Sequence, residues 1–210
     1  RFGGRLLFPI HDLRWRVVAF SGRILGEGDP KYLNSPETPI FHKGQLLYNL
    51  HVAKHAMRKA ERAILVEGQF DVLRTALAGF EEVVAPLGTG LTDDQAELLR
   101  RHTAQVVLLY DSDEPGLRAT FRAGDVLLRH KLRVNVATLP DGEDPDTLVQ
   151  KHGAGALEQA LKDSVDVLER KIQILERKGF FGSLPGRRRA LDRLLPTIRA
   201  EFRMAYNYEY

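Results

Sequence analysis

The chain has 210 residues, 43% of them hydrophobic, with 31 Lys and Arg against 28 Asp and Glu and no cysteine. That length supports one large or two small domains with a real core, and the missing cysteines exclude disulfides and cysteine–zinc sites within it. No apolar run nears the length of a membrane span and no signal-peptide pattern opens the chain, so a cytoplasmic protein with no membrane partner is expected.

The charge is unevenly divided. Residues 1–62 carry 11 Lys and Arg against 5 Asp and Glu, residues 63–152 carry 9 against 15, and residues 153–210 carry 11 against 8. An acidic segment flanked by basic ones suits a polyanion held by the flanks and processed at a metal centre. Arg5–Ile10 and Arg16–Phe20 read as two strands of a hairpin joined by an untidy turn through Trp15, and Ser21–Leu25 continues the sheet. Lys31 and Lys43 alone would read as solvated loop lysines. Gln45–Arg62 carries Leu46, Leu47, Leu50, Ala53, Met57 and Ala60 near one face and predicts a helix. His51 and His55 stand four apart on it, without a third ligand to make a metal pair, and read as surface histidines.

The next stretch organises the chain. Ala63–Val66 is a short continuous apolar run that ends in Glu67 and Gly68, and Val106–Tyr110 is a second run that ends in Asp111-Ser112-Asp113-Glu114-Pro115-Gly116. Such runs read as strands buried on both faces of a parallel sheet. Open α/β sheets place their ligands at the carboxyl ends of such strands. A helix from about Phe70 to Ala78 puts Asp71 in its first turn, close to Glu67. Glu82–Leu87 is the next strand, followed by Gly88-Thr89-Gly90 and a Thr92-x-x-Gln95 capping box that opens a helix. A glycine-rich turn ahead of a helix can bind phosphate through backbone N–H groups, although the motif alone is weak. Pro115–His130 reads as a helix with proline in its allowed first turn. Arg133–Leu139 is a further strand, and Asp144 and Asp146 follow it in a third acidic pair.

Residues two apart in extended backbone share a face, so Asp111 and Asp113 can aim at one point. Each acidic piece has an ordinary reading, as a turn or as the capping of a helix N-terminus. Together they make six carboxylates on one sheet edge, which would repel one another unless cations neutralised them. Oxygen donors with no His or Cys among them suit Mg²⁺ or Mn²⁺ rather than zinc. Beyond Gly153 the strand signal stops. Ala156–Leu161, Val165–Lys178 and Arg187–Tyr206 read as helices, the last kinked or broken by Pro196. Arg187, Arg188 and Arg189 suit either a nucleic-acid contact or a solvated helix start.

Val66-Glu67-Gly68 with Asp71-Val72, followed by Tyr110-Asp111-Ser112-Asp113 and Gly116, resembles the TOPRIM fold of bacterial primases, topoisomerases and some nucleases. Pro30–Thr38, Phe41–Gly44 and Leu139–Leu148 narrow the resemblance to the catalytic core of bacterial DnaG-type DNA primases, firm from Arg5 to Lys151. The fold this implies is α/β, a Rossmann-like, mostly parallel TOPRIM sheet flanked by helices. A small mixed β part precedes it and a helical subdomain follows it, with boundaries at 1–42, 43–152 and 153–210.

The implied activity is DNA-templated synthesis of short RNA primers by two-metal-ion nucleotidyl transfer. Glu67, Asp111 and Asp113 would be the catalytic metal ligands, with Asp71, Asp144 and Asp146 in support of two or more Mg²⁺ or Mn²⁺ ions. Glu67 as a general base stays open. Arg23, Lys31, Asn34 and Lys43, with Arg5 and Arg1 as weaker members, match residues that hold template or triphosphate, and Gly88 and Thr89 match a loop beside the metals. The implied partners are a single-stranded DNA template, nucleoside triphosphates, an RNA primer and the replicative helicase, the last through a region absent here. Primases carry a zinc ribbon before the core, and the opening residues fall inside the core, so a fragment is expected. The alternatives are another TOPRIM enzyme, a topoisomerase or nuclease, and a non-catalytic nucleic-acid-binding module. None of the six tyrosines has the context of a topoisomerase nucleophile.

Overall fold

Four short strands form the centre of a computed structural model that describes residues 2–88, 90–140, 143 and 145–205, the side chains of Asp146 and of residues 203–205 excepted. They are β5 (Ala63–Leu65), β6 (Val83–Pro86), β7 (Gln105–Leu108) and β8 (Arg133–Val136), all parallel. Two short antiparallel strands, β4 (Leu47–Tyr48) and β9 (Val165–Asp166), close the edges, and the order is β4-β6-β5-β7-β8-β9. The continuous apolar runs follow from burial on both faces. Ala63 and Leu65 face one layer with Leu50, Met57, Leu99 and Leu127, while Ile64 and Val66 face the other with Val72, Leu148, Leu157 and Leu161.

The helices of the first layer are α1 (Leu50–Ala60), α3 (Asp93–Arg100) and α4 (Glu114–Arg129). Those of the second are α2 (Gln69–Leu77), α5 (Pro145–His152) and α6 (Ala154–Lys162). The Thr92 hydroxyl accepts the Gln95 N–H at 3.2 Å, so the capping box forms as its spacing predicts.

The N-terminal part is a three-stranded antiparallel sheet of β1 (Arg5–His11), β2 (Val17–Ile24) and β3 (Tyr32–Asn34), with β2 in the middle. Ile10 and Ala19 from its inner side join Phe41 and Leu87 in a small cluster. Phe8 meets Phe70 of α2 edge to face at 5.2 Å, which ties this sheet to the larger one. At the other end, α7 (Val167–Arg177) and α8 (Leu184–Ala205) pack on α4. Lys171 donates to Thr197 at 2.8 Å and Thr197 to Asp125 at 2.5 Å, linking the three helices.

Four local readings change. The helix expected over Gln45–Arg62 begins only at Leu50, because Asn49 takes a left-handed conformation (φ 69°) and the preceding Leu47–Tyr48 pairs with β6. Strand structure does not end at Gly153: β9 pairs with β8 and precedes α7. A helix, α5, occupies Pro145–His152, where the sequence analysis marked only the acidic pair Asp144 and Asp146. Finally, α8 runs through Pro196 without ending. Its buried Ala190, Leu194, Thr197 and Ala200 are packed on both sides of the proline, and that packing outweighs the hydrogen bond proline removes. Thr89, Asp144 and Tyr206–Tyr210 lie outside the described residues, as does Arg1.

Candidate metal and nucleic-acid cleft

The site is built by sheet register. Leu65 of β5 pairs with Leu108 of β7, and the Leu109 N–H donates to the Leu65 carbonyl at 2.9 Å. Glu67 lies two residues past Leu65 and Asp111 three past Leu108, so both emerge at the carboxyl edge of adjacent central strands. There the Glu67 carboxylate accepts the Asp111 backbone N–H at 3.1 Å. Burial of its carboxyl raises the Glu67 pKa; the Asp111 N–H opposes this, and the nearby charges of Asp111, Asp71 and Asp113 add to it. Glu67 as a whole remains exposed at the cleft mouth. Tyr110 is partly buried nearby, and desolvation pushes its phenol well above its usual range.

Asp71 and Asp113 are each built into a helix start. Asp71 accepts the Gly68 N–H at 3.0 Å in the first turn of α2. Asp113 is the N-cap of α4 and accepts the Gly116 N–H at 2.7 Å through one of its two oxygens. Gly116 is required for this turn, since a Cβ there would lie 2.2 Å from the Asp111 carbonyl oxygen. The cap reading and the ligand reading of the Asp-x-Asp pair therefore apply to the same residues. As the side chains lie, no three His, Cys, Asp or Glu among the described residues stand close enough to hold one ion together. Asp144 and the side chain of Asp146 lie outside the described residues.

A cleft of about 560 Å³ is lined by Glu67, Asp71 and Asp111 together with Arg23, Lys31, Asn34 and Gly88, while Asp113 is not among its lining residues. Gly88 has φ 128°, a conformation that favours glycine. Lys43 stands beside it, its chain 3.8 Å from where a Gly88 Cβ would be. Arg5 is placed differently: its guanidinium donates to the Gly22 carbonyl at 3.2 Å and the Lys31 carbonyl at 3.4 Å, bracing the small sheet rather than lining the cleft.

Tyr32, Phe70 and Arg74 line the cleft without having been among the candidate residues. Arg23 stacks over the Phe70 ring at 4.3 Å and lies 6.0 Å from the Tyr32 ring, and Arg74 approaches Phe70 from the next turn of α2 at 5.8 Å. Phe70 thus orients two guanidiniums at the cleft. Arg23 Nε and Asn34 Oδ1 are buried and without a hydrogen-bond partner among the described residues. Buried polar atoms of this kind call for a partner, and phosphate or sugar oxygens and hydroxyls would supply one. The i, i+4 spacing of Phe70 and Arg74 was visible in the sequence, but their pairing with Arg23 was not.

A mostly parallel α/β sheet with Glu after one central strand and Asp-x-Asp after its neighbour is a Toprim arrangement, and the family described as Toprim-like matches residues 64–149. The family described as DNA primase catalytic core, N-terminal domain, matches residues 1–54. The DNA primase of Halalkalibacterium halodurans is 49% identical over 154 residues, 73% of this chain and 26% of that protein. Among solved structures, the RNA polymerase domain of Mycobacterium tuberculosis primase DnaG superposes with a TM-score of 0.78 at 30% identity, covering 98% of this chain and 69% of that one. A DnaG primase catalytic domain bound to single-stranded DNA superposes with a TM-score of 0.82 at 40% identity, covering 95% of this chain and 64% of that one. The chain belongs to the DnaG-type DNA primase family, and it spans about a quarter of the length of the curated relative it matches.

Proposed function

We propose that the cleft extends an RNA primer on a single-stranded DNA template by divalent-metal-assisted nucleotidyl transfer, as part of a primase catalytic core. The observation that carries this reading is the pairing of Glu67 and Asp111 on adjacent strand ends, in one cleft with Arg23 and Lys31. In the reaction a primer 3′-hydroxyl attacks the α-phosphate of a nucleoside triphosphate, and pyrophosphate leaves. Glu67, Asp111 and Asp113 would hold the divalent ions, Mg²⁺ or Mn²⁺, with Asp71, Asp144 and Asp146 in support; all are oxygen donors, as such ions require. The raised Glu67 pKa fits this role, because a bound cation would favour the ionised carboxylate against the burial that chiefly raises its pKa and the neighbouring carboxylates that add to it. When bound, such ions lower the pKa of the attacking hydroxyl and steady the leaving pyrophosphate.

The chain's own groups do the rest. Arg23 offers a stacked, pre-oriented fork for phosphate oxygens, Lys31 and Lys43 mobile point charges, and Asn34 a polar contact for sugar or phosphate. Nucleoside triphosphates, an RNA primer and, for the whole protein, the replicative helicase are the partners this reading entails. One solved relative is bound to single-stranded DNA, which supports a template of that kind here.

Glu67→Gln or Asp111→Asn should lower Mg²⁺- or Mn²⁺-dependent primer synthesis by at least about a hundredfold while the fold is retained. Near-normal synthesis by either variant, in the full protein, would remove that residue from the mechanism. The topoisomerase alternative is disfavoured by Tyr32, the one tyrosine among the described residues that lines the cleft. Burial raises its phenol pKa, the opposite of what an activated nucleophile needs. A covalent DNA adduct after incubation with supercoiled plasmid would revive that alternative.

A further inference from the structure

The turn between β1 and β2 holds a residue that the hairpin does not need there. Trp15 adopts φ 66°, a left-handed conformation that costs least for glycine and is an outlier for a bulky side chain. It is also 60% exposed. Its ring nonetheless has company: it stands edge-on over His51 of α1 at 4.5 Å, and His51 stacks in turn on His11 at 4.4 Å with 27° between the planes. His51 itself is only 8% exposed, and its Nδ1 is buried without a partner among the described residues. The outcome is an indole fixed from behind by two imidazoles, with its remaining surface open to solvent.

A basic helix face continues from this platform, with Lys54 and Arg58 as its charged members. His51, Lys54, His55 and Arg58 fall at i, i+3, i+4 and i+7, one face of α1 that extends over about 10 Å. The helix contains no Asp or Glu. Lys54 donates to the Leu13 carbonyl at 3.0 Å, joining helix to turn. Among the described residues, no carboxylate forms an ion pair with Lys54, His55 or Arg58; Asp12, the nearest acid in the turn, is paired with Arg16 at 2.6 Å. None of these residues lines the acidic cleft.

We infer that Trp15 and the cationic face of α1 form a second contact site for single-stranded nucleic acid, in which a base stacks on the indole and the sugar–phosphate backbone follows the helix. An aromatic platform continued by unpaired cations is the combination that binds single strands without reading sequence. Charge complementarity selects a polyanion, and the open ring selects one that carries bases. Burial lowers the His51 pKa to about 4, so the imidazole behind the indole is neutral at physiological pH and supports the stack without adding charge of its own.

Trp15 is the sole tryptophan of the chain, so its emission reports this site and no other. Titration with oligo-thymidylate should quench it, while inorganic polyphosphate, which has charge but no bases, should bind without comparable quenching. Arg58→Glu should weaken the oligonucleotide-induced quench about tenfold in apparent Kd, and more steeply at low salt. Trp15→Gly, which suits the left-handed backbone, should keep or raise the melting temperature yet weaken binding of a labelled oligonucleotide about tenfold. Glu67→Gln should leave the quench intact, which separates this site from the cleft. Unchanged Trp15 emission on saturation with oligo-thymidylate, or the same quench in Arg58→Glu, would overturn the inference. Emission that shifts with protein concentration alone would assign the face to a second copy of the chain instead.

Discussion

The two sheets of the molecule solve different problems with the same kind of residue. The six-stranded sheet buries its apolar side chains on both faces, and Ala63, Ile64, Leu65 and Val66 are all fully inaccessible. The three-stranded sheet leaves Leu6, Leu7, Val17 and Phe20 substantially exposed. The first can place Glu67 and Asp111 in fixed register because its strands have no freedom to slip without exposing a buried face. The second carries the cations Arg23 and Lys31, and its contact with the acids runs through a small number of rings, above all Phe70. The acidic half of the cleft is thus set by close packing, and the basic half by aromatic contacts.

That contrast can be broken at either end. Leu108→Ala, in the doubly buried sheet next to the turn that presents Asp111, should lower stability by about 2–5 kcal/mol. Leu7→Ala in the thin sheet should change it by roughly 0.5 kcal/mol or less. Chemical denaturation of both variants checks the pair, and equal losses would mean that the small sheet is as tightly packed as the large one. A smaller effect is expected from Phe70→Leu, which removes the ring beneath Arg23 and Arg74 and leaves both cations in place. It should raise KM for nucleoside triphosphate or template severalfold with little change in kcat, and Phe70→Trp should restore it, since tryptophan is the better cation–π partner. Loss of kcat alone, or equal damage from both substitutions, would show that Phe70 matters only for packing.

The same contrast explains what the sequence made legible. The strands before Glu67 and Asp111 were readable because burial on both faces leaves an uninterrupted apolar run that ends at the first carboxylate. The two-residue strands β4 and β9 are too short to carry any periodicity, and they exist only because β6 and β8 offer them a partner. Pro196 signals a helix break locally, but the packing of α8 on α4 and α7 outweighs it. The Arg23–Phe70 stack joins residues 47 apart in the chain, a contact that neither segment encodes alone. Asp113 was legible both as a helix cap and as a ligand candidate; the cap is formed by one oxygen, so the ligand role falls to the other oxygen or to a turn of the side chain.

Glu67 and Asp111 are held to act together on a divalent cation, and Mn²⁺ binding measured by titration calorimetry across pH tests this most directly. Glu67 must be ionised to bind, and its pKa is raised above the ordinary 4.5. Affinity should therefore be full at neutral pH and fall as pH drops through a value above 4.5, with proton uptake on the metal-free protein. Asp111→Asn should lose most of the binding at every pH. Mn²⁺ binding to Asp111→Asn with the affinity and pH dependence of the unaltered chain would contradict the shared site.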